Sequence, residues 1–371
     1  MGGLRLCRAS PLPNQAWSLN MMAMPGFFQN DDAKRVLPLG GFFALEAPGA
    51  GGLAALWGVD PALAWENASS ALAALVAHLA PQTVWMPGYL CAHMAAAVPA
   101  AQRRFFGLTA TMQPDVTRLS GVEAGDLVLA VRYFGEPPGV DWQGFVAAHP
   151  QVHFVEDCAQ SLLPAVSDAD WRIFSPRKVM GVPEGGILVP LSARARQAGM
   201  RGPRQPADPA RVAQRALPMQ MRRDHPFDNA AWHPLHQAAE NAGLVNDHAM
   251  DPTALTLLLS QDPGPMIAAR RANFAVLAAR LADHALFATL ADACAPFGFP
   301  VVLPAPDRDA ILARMHREQV FPAVHWRDIA APMQMVADHV RSASLATLPC
   351  DHRYDLQDMA RVADVFLGAL T

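Results

Sequence analysis

Ile173-Phe-Ser-Pro-Arg-Lys-Val-Met-Gly-Val-Pro-Glu-Gly-Gly186 is the stretch that decides the fold of this 371-residue chain. It leaves an apolar run, turns at a proline, presents Lys178 and returns through closely spaced glycines. Twenty-one residues before the lysine, Val155-Glu-Asp-Cys-Ala-Gln-Ser161 ends another apolar run with Asp157. Because glycine has no Cβ, the backbone can return directly to a neighbouring strand. The two stretches therefore predict two strands that deliver a lysine and a carboxylate.

A lysine and a carboxylate are the two protein groups that pyridoxal phosphate chemistry needs. The amine forms a Schiff base with the cofactor aldehyde, and the carboxylate keeps the pyridine nitrogen protonated so that the ring accepts electrons. The pattern also allows ordinary roles. An aspartate that closes a strand more often caps a helix or lies in a turn, and a lysine after a proline turn is usually solvated.

Short apolar runs bounded by Gly, Pro or Asp predict buried strands over residues 83–86, 126–131, 152–156, 172–174 and 186–189. Helical length and spacing over residues 70–80 and 141–149 place helices between them. Alternating strands and helices predict a three-layer α/β/α domain whose catalytic groups gather at strand ends.

The remaining segments predict the domain organisation. Residues 201–223, rich in Arg, Pro and Gln, predict helices or loops, and residues 268–281 predict an amphipathic helix. Apolar patterns over residues 299–303, 309–317 and 356–367 predict a smaller α+β domain. We expect an irregular N-terminal arm over residues 1–37, a large domain over 38–255 and a small C-terminal domain over 256–371.

Composition excludes several functional classes. The net charge of −4, from 29 basic and 33 acidic residues, argues against nucleic-acid binding. No apolar stretch predicts a membrane span or a secretory signal. The histidines form no His-Glu-x-x-His pattern, so no metal is expected. The five cysteines are Cys7, Cys91, Cys158, Cys294 and Cys350. Because they are odd in number and widely separated, the sequence predicts neither a disulfide framework nor a zinc site. A reducing cytoplasm is the location that this pattern favours.

The two opening stretches resemble the DegT/DnrJ/EryC1/StrS family of pyridoxal phosphate-dependent sugar aminotransferases. Members of that family carry an E-D-x-A-Q-S strand end, followed by a serine, a lysine and a glycine pair. Further resemblance comes, in the same order as in the family, from residues 65–72, 84–91, 131–135, 270–274, 321–326 and 348–354. The resemblance spans about residues 38 to 371 and depends on the number and order of these segments.

The resemblance implies fold type I of the pyridoxal phosphate-dependent transferases, with a mostly parallel seven-stranded sheet in the large domain. It also implies a homodimer with active sites at the subunit interface. The implied reaction moves an amino group from glutamate or glutamine to a keto sugar attached to a nucleotide. The acceptor, the position that is aminated and the stereochemistry do not follow from the sequence.

The same resemblance implies a role for each site residue. Lys178 holds the cofactor and moves a proton between the substrate Cα and the cofactor, and Asp157 pairs with the pyridine nitrogen. The phosphate is bound by Ser69 and Ser70, at the start of a predicted helix, and by Ser175; plain helix capping is the alternative for the first two. The remaining candidates are Gln160 beside the ring, Cys91 or Tyr89 over its face, and His325 and Arg177 on the substrate side.

The sequence also departs from the family pattern. The family's Asn-Tyr-Arg-Met segment, which reaches the neighbouring active site, corresponds here to Leu244-Val-Asn-Asp-His-Ala-Met-Asp251. Two other functions stay open: a sugar lyase or dehydratase, and a non-catalytic regulator or binding scaffold. Family dehydratases replace the lysine with histidine, so Lys178 argues against that branch.

Overall fold

The structure is a computed structural model that describes residues 36–164, 166–242 and 245–371. Its strands are β1 (Leu39–Gly40), β2 (Ala64–Trp65), β3 (Val84–Pro87), β4 (Arg103–Phe106), β5 (Leu127–Val131), β6 (His153–Asp157), β7 (Trp171–Phe174), β8 (Gly186–Pro190), β9 (Phe299–Val302), β10 (Val320–Phe321) and β11 (Leu345–Leu348). The five strands predicted from the sequence are β3, β5, β6, β7 and β8, and each is confirmed to within one residue at either end.

The α-helices are α1 (Leu53–Trp57), α2 (Ala68–Leu79), α3 (Ala92–Ala96), α4 (Val140–Ala148), α5 (Pro176–Val179), α6 (Ala193–Gln197), α7 (Pro209–Asp224), α8 (Asn229–Asn241), α9 (Pro252–Leu259), α10 (Pro263–Leu281), α11 (Arg308–Arg317), α12 (Val336–Ser344) and α13 (Leu356–Leu370). Short 3₁₀ turns occur at Pro61–Leu63, Ala100–Gln102, Val116–Arg118, Tyr133–Gly135 and Ala282–His284. Across the described ranges, no helix has the length and apolar character that crossing a bilayer requires.

Seven strands form the main sheet, in the order β2-β8-β7-β6-β5-β3-β4. Strands β4, β3, β5, β6 and β7 run parallel, whereas β8 is antiparallel to both of its neighbours. All residues of β5 and β7 are buried, because α2 and α4 contribute to the same apolar core as the strands. The predicted mostly parallel seven-stranded sheet is confirmed.

Strand register fixes which residues meet at the carboxyl edge of this sheet. Asp157, the last residue of β6, lies opposite Val131 of β5 and Ile173 of β7. The chain leaves β7 after Phe174 and enters α5 at Pro176, a residue whose fixed φ suits the first turn of a helix. The end of β6 and the start of α5 are therefore close in space.

A smaller antiparallel pair, β9 with β11, lies in the C-terminal part of the chain. Apolar side chains of α10, α11 and α13 form a second core around it, which includes Phe274, Met315 and Phe366. Residues 37–371 form one compact unit, and the division at residue 255 stays a prediction. The arm predicted over residues 1–37 lies almost wholly outside the described residues.

Close contact between α2 and β8 depends on Gly186. A Cβ at this position would overlap the carbonyl group of Asn67 and the backbone nitrogen of Ala68. These are backbone atoms at the start of α2, and they cannot swing aside as a flexible side chain can. Gly186 is therefore required where the helix begins directly against the sheet.

We expect Gly186→Ala to lower the free energy of unfolding by about 2–3 kcal/mol, because overpacking a tight contact forces a backbone shift. Urea denaturation of the purified protein measures this loss. Gly144→Ala in α4 is the matched control, since a Cβ there meets nothing within 4 Å. It should raise stability by about 0.5–1 kcal/mol. Equal losses in both variants would contradict this account of Gly186.

Candidate active site

Two cavities meet at Lys178. The first, here called the Asp157 cavity, has a volume of about 100 Å³ and includes Asn67, Ala68, Ser69, Cys91, His93, Met94, Asp157, Ala159, Ser175 and Trp326 in its wall. The second, the Arg353 cavity, has a volume of about 280 Å³ and includes Phe42, His325, Asp351 and Arg353. Both cavities share Arg177, Lys178, Arg215, Ala239 and Glu240. Groups bound in the two cavities would therefore contact the same five residues.

Lys178 is presented by the short helix α5, where its backbone N–H donates to the Ser175 carbonyl at 3.0 Å. Removal from water lowers the pKa of the Lys178 amine, and the neighbouring Arg177 charge lowers it further. The negative charges of Glu240 and Asp157 act in the opposite direction. A lowered pKa leaves more of the amine unprotonated at neutral pH, as a nucleophile requires.

Asp157 is buried at the end of β6, and its Oδ1 accepts a hydrogen bond from the Ala159 N–H at 2.8 Å. Burial raises the pKa of this carboxyl to about 6, although the Ala159 hydrogen bond and the Lys178 charge oppose the shift. In the described part of the chain, no ion pair within 4.0 Å involves Asp157. Asp157 and Lys178 thus face one cavity without closing on each other.

The start of α2 forms the polar end of the Asp157 cavity. Asn67 caps this helix by accepting the Ser70 N–H at 2.9 Å, and Ser69 faces the cavity. The Ser70 hydroxyl points elsewhere and accepts the Asn246 N–H at 3.0 Å. Free N–H groups and the helix field favour an anion at such an end. Ser175 lies buried in the wall of the same cavity.

The structure separates the two candidates for the ring face. Cys91, which precedes α3, lies in the wall of the Asp157 cavity. Tyr89 is fully buried, with its ring centroid 5.3 Å from that of Trp326 and 5.8 Å from that of Tyr133. Gln160 is also buried away from the cavity wall, where its Oε1 accepts the Phe134 N–H at 2.8 Å.

The two substrate-side candidates lie at the Arg353 cavity. Burial lowers the pKa of His325 to about 3, and the Lys178 charge adds to that shift. The His325 Nε2 is buried and has no hydrogen-bond partner among the described residues. Arg177 donates from Nη1 to both carboxylate oxygens of Glu240, at 2.6 and 2.7 Å.

Two site residues were missed from the sequence, Glu240 in α8 and Arg215 in α7. Glu240 pairs with Arg177, while Arg215 pairs with Glu66 and, at 3.0 Å, with Glu184. Burial raises the pKa of Glu184 to about 7. Neither α7 nor α8 gives a regular pattern, since each contains an internal proline. Neither residue is marked by a local sequence signal.

Part of the divergent segment 244–251 lies against the start of α2. The Asn246 side chain donates to Glu66 at 2.9 Å, and the His248 N–H donates to the Asn246 side-chain oxygen at 2.9 Å. Leu244 lies outside the described residues.

Among the described side chains, no group of three or more His, Cys, Asp or Glu is arranged to hold a metal ion.

No protein-family profile and no curated protein sequence matches the chain. Solved structures do match. The Helicobacter pylori PseC, an aminotransferase involved in the biosynthesis of pseudoaminic acid, is 17% identical, with a TM-score of 0.62 over 85% of this chain and 88% of that one. A DegT DnrJ EryC1 StrS aminotransferase from Brucella abortus is 16% identical, with a TM-score of 0.61 over 85% and 87%.

A third structure, the putative sugar aminotransferase Spr1654 from Streptococcus pneumoniae in its PMP form, is 13% identical, with a TM-score of 0.61 over 89% of this chain and 92% of that one. All three similarities extend along most of both chains. The chain therefore has the fold of these aminotransferases, which confirms the fold class predicted from the sequence.

The raised pKa of Asp157 has a consequence for stability. An unfolded aspartate loses its proton near pH 4, whereas the folded group keeps it until about pH 6. Between these values the unfolded chain is favoured increasingly as pH rises, and the full penalty is present above about pH 6. We expect Asp157→Asn to stabilise the cofactor-free protein by about 1–3 kcal/mol at pH 7.5 and by less than half of that at pH 4.5.

Thermal unfolding at the two pH values measures this difference. Asp364→Asn is the control, because the Asp364 side chain is 67% exposed in a surface ion pair and should change stability little at either pH. A gain for Asp157→Asn that does not depend on pH would show that the carboxyl is not held in a raised-pKa environment.

Proposed function

We propose that the protein is a pyridoxal phosphate-dependent aminotransferase that aminates a keto sugar. The observation that carries the proposal is the lining of the Asp157 cavity. Lys178, the Asp157 carboxylate and the N-terminus of α2 all belong to its wall. An amine, a buried carboxylate and an anion-binding helix end match the three recognisable parts of this cofactor: an aldehyde, a pyridine nitrogen and a phosphate.

The residues around the cavity fit the cofactor in chemical type. When bound, pyridoxal phosphate supplies an aldehyde for covalent attachment and a ring that accepts electrons. Lys178 is the residue for that attachment, and Asp157 is the partner for the ring nitrogen. Ser69, Ser175 and the N–H groups at the start of α2 would hold the phosphate, and Cys91 would contact the ring.

Lys178 has a second task in this proposal. With the cofactor bound, its amine would act as the general base that takes the proton from the substrate Cα. The lowered pKa of this amine favours both tasks, because more of the amine is unprotonated at a given pH. The wall shared by the two cavities lets one side chain serve both the cofactor and the substrate.

The names of the similar structures support the substrate class. Two are described as aminotransferases and a third as a putative sugar aminotransferase in its PMP form. They support a keto sugar as the acceptor. Glutamate or glutamine as the amino donor, and a nucleotide linked to the sugar, are proposed from the sequence resemblance alone. Lys178 argues against the dehydratase alternative. A homodimer and a cytoplasmic location stay predictions from the sequence.

We expect pyridoxal phosphate to form a yellow complex that borohydride fixes at Lys178. Because the chain contains only Lys34 and Lys178, peptide mass spectrometry can assign the attachment without ambiguity. Lys178→Ala should abolish the fixed adduct, and Lys34→Ala should leave it unchanged. Addition of L-glutamate to the complex should convert the cofactor to pyridoxamine phosphate, which separates transamination from elimination.

Failure of the wild-type protein to form this complex would favour the scaffold alternative. Formation of the complex with no conversion by glutamate or glutamine would leave a pyridoxal phosphate enzyme of another reaction class. Attachment at Lys34 or at the terminal amine alone would remove Lys178 from the proposed role.

The place of Cys91 gives a second test. Cys91 is half-buried at the cavity wall, whereas Cys158, Cys294 and Cys350 are buried. Alkylation needs an accessible thiolate, so iodoacetamide should modify Cys91 before those three. Bound pyridoxal phosphate should slow that reaction in proportion to the occupied fraction, as followed by peptide mass spectrometry. Equal rates with and without bound cofactor would place the cofactor away from Cys91.

A further inference from the structure

The ion pair between Arg177 and Glu240 lies where the two cavities meet. Both side chains line the Asp157 cavity and the Arg353 cavity, and both act electrostatically on Lys178. Arg177 directly precedes Lys178 in α5, whereas Glu240 comes from α8. The pair therefore lies beside the lysine and faces both cavities.

The side chains of the Arg177–Glu240 pair are more exposed to solvent than those of the ion pairs formed by Arg215 and Arg353. The Arg177 and Glu240 side chains keep 25% and 35% of their surface exposed. Arg215 keeps 10%, and its partners Glu66 and Glu184 keep 2% and 3%. Arg353 keeps 16% against 8% for Asp351. The last two arginines belong to buried networks that are costly to break, whereas the Arg177–Glu240 pair is the one of the three that water reaches most easily.

The hydrogen bonds of Arg177 lead to the same conclusion. Its contacts with Glu240 leave from Nη1, whereas Arg353 uses Nε, Nη1 and Nη2 to bind Asp351 and the carbonyls of Gly41 and Phe42. A guanidinium offers a planar fork that binds a carboxylate through two parallel hydrogen bonds. Arg177 can therefore exchange one carboxylate for another.

The position of Glu240 is unfavourable for its own helix. Glu240 is the penultimate residue of α8, where the helix field disfavours a negative charge. Burial raises the pKa of its carboxyl, but the charges of Arg177 and Lys178 outweigh burial and bring the pKa down to about 2. The carboxylate is thus present because of its partners in the site, and α8 itself gives it no support.

We propose that Arg177 binds the α-carboxylate of the amino donor, and that Glu240 takes the place of this carboxylate when the acceptor occupies the site. This inference rests on the proposed function. The α-carboxylate is attached to the carbon that bears the reacting nitrogen, so its receptor has to lie beside Lys178. A keto sugar brings no carboxylate to that carbon, and Glu240 then neutralises Arg177. The same site can then bind first a donor with a carboxylate at its reacting carbon and afterwards an acceptor without one.

Calorimetric binding of glutarate tests the inference without requiring turnover. Wild-type protein saturated with pyridoxal phosphate should bind glutarate, and Arg177→Gln should weaken binding by roughly 10- to 100-fold, the worth of a charge-assisted hydrogen-bonded pair. Glu240→Gln removes the internal competitor and should tighten binding several-fold. The double variant should resemble Arg177→Gln, because the effect of Glu240 acts through Arg177.

Arg280→Gln is the matched control, because Arg280 forms a surface ion pair at 2.6 Å with Asp364 and should leave glutarate binding unchanged. Arg177→Lys keeps the charge but loses the fork and should restore binding only in part. Thermal unfolding of each variant checks that the fold is intact.

Unchanged glutarate binding in Arg177→Gln would overturn the proposal, as would equal weakening in Arg177→Gln and Glu240→Gln, which would make the pair purely structural. Absence of glutarate binding to the wild type would also overturn it. The yellow colour of the same samples reports cofactor attachment separately. A yellow wild-type protein that fails to bind glutarate therefore refutes this inference alone, while a colourless wild-type protein refutes the proposed function.

Discussion

The pairing of β6 with β7 is the constraint on which the candidate site depends. It places Asp157 opposite Ile173, five residues before Lys178 in the chain. The parallel direction of the two strands sends both carboxyl ends to the same edge of the sheet. A register shift of one residue would turn the Asp157 side chain to the other face. The buried apolar residues of β5 and β7 prevent such a shift, so the core of the sheet also fixes the geometry of the site.

The two ionisable groups of the site, Asp157 and Lys178, are buried, and burial disfavours the charged form of each. Asp157 and Lys178 are both withdrawn from water, which raises the pKa of the first and lowers that of the second. The two groups do not relieve this cost by forming a close ion pair. In contrast, Glu156 is buried beside Asp157 but pairs with Arg132 at 2.8 Å and with Arg172 at 3.3 Å. Adjacent positions of one strand thus separate a carboxylate held in two ion pairs from one that accepts a backbone hydrogen bond but has no ion pair among the described residues, and carboxyls with a perturbed pKa of this kind are typical of functional sites.

Sequence patterns predicted the parts of the structure that local chemistry determines. Strand positions followed from apolar runs bounded by turn residues, and Asp157, Lys178, Ser69, Ser175 and Cys91 all proved to lie in the wall of one cavity. The sequence could not separate Cys91 from Tyr89, because that choice depends on whether the loop after β3 turns its side chains to the cavity or to the core. Glu240 and Arg215 were missed for a different reason. Their helices return to the site across more than thirty residues, and only tertiary contacts reveal which of their charged side chains face it.

The charges around the Arg353 cavity bear on how an acceptor is recognised. Each of the three arginines in its wall already has a carboxylate partner from this chain: Glu240 for Arg177, Glu66 and Glu184 for Arg215, and Asp351 for Arg353. A substrate anion gains little from a cation that is already neutralised, unless it can displace the partner. Displacement is easiest at the most exposed pair, which is the one beside Lys178. Under the proposed function, an acceptor bound at this wall would depend on hydrogen bonds and on contacts with apolar groups such as Phe42 and Met219, so shape and hydroxyl pattern, more than charge, should set which keto compound reaches the lysine.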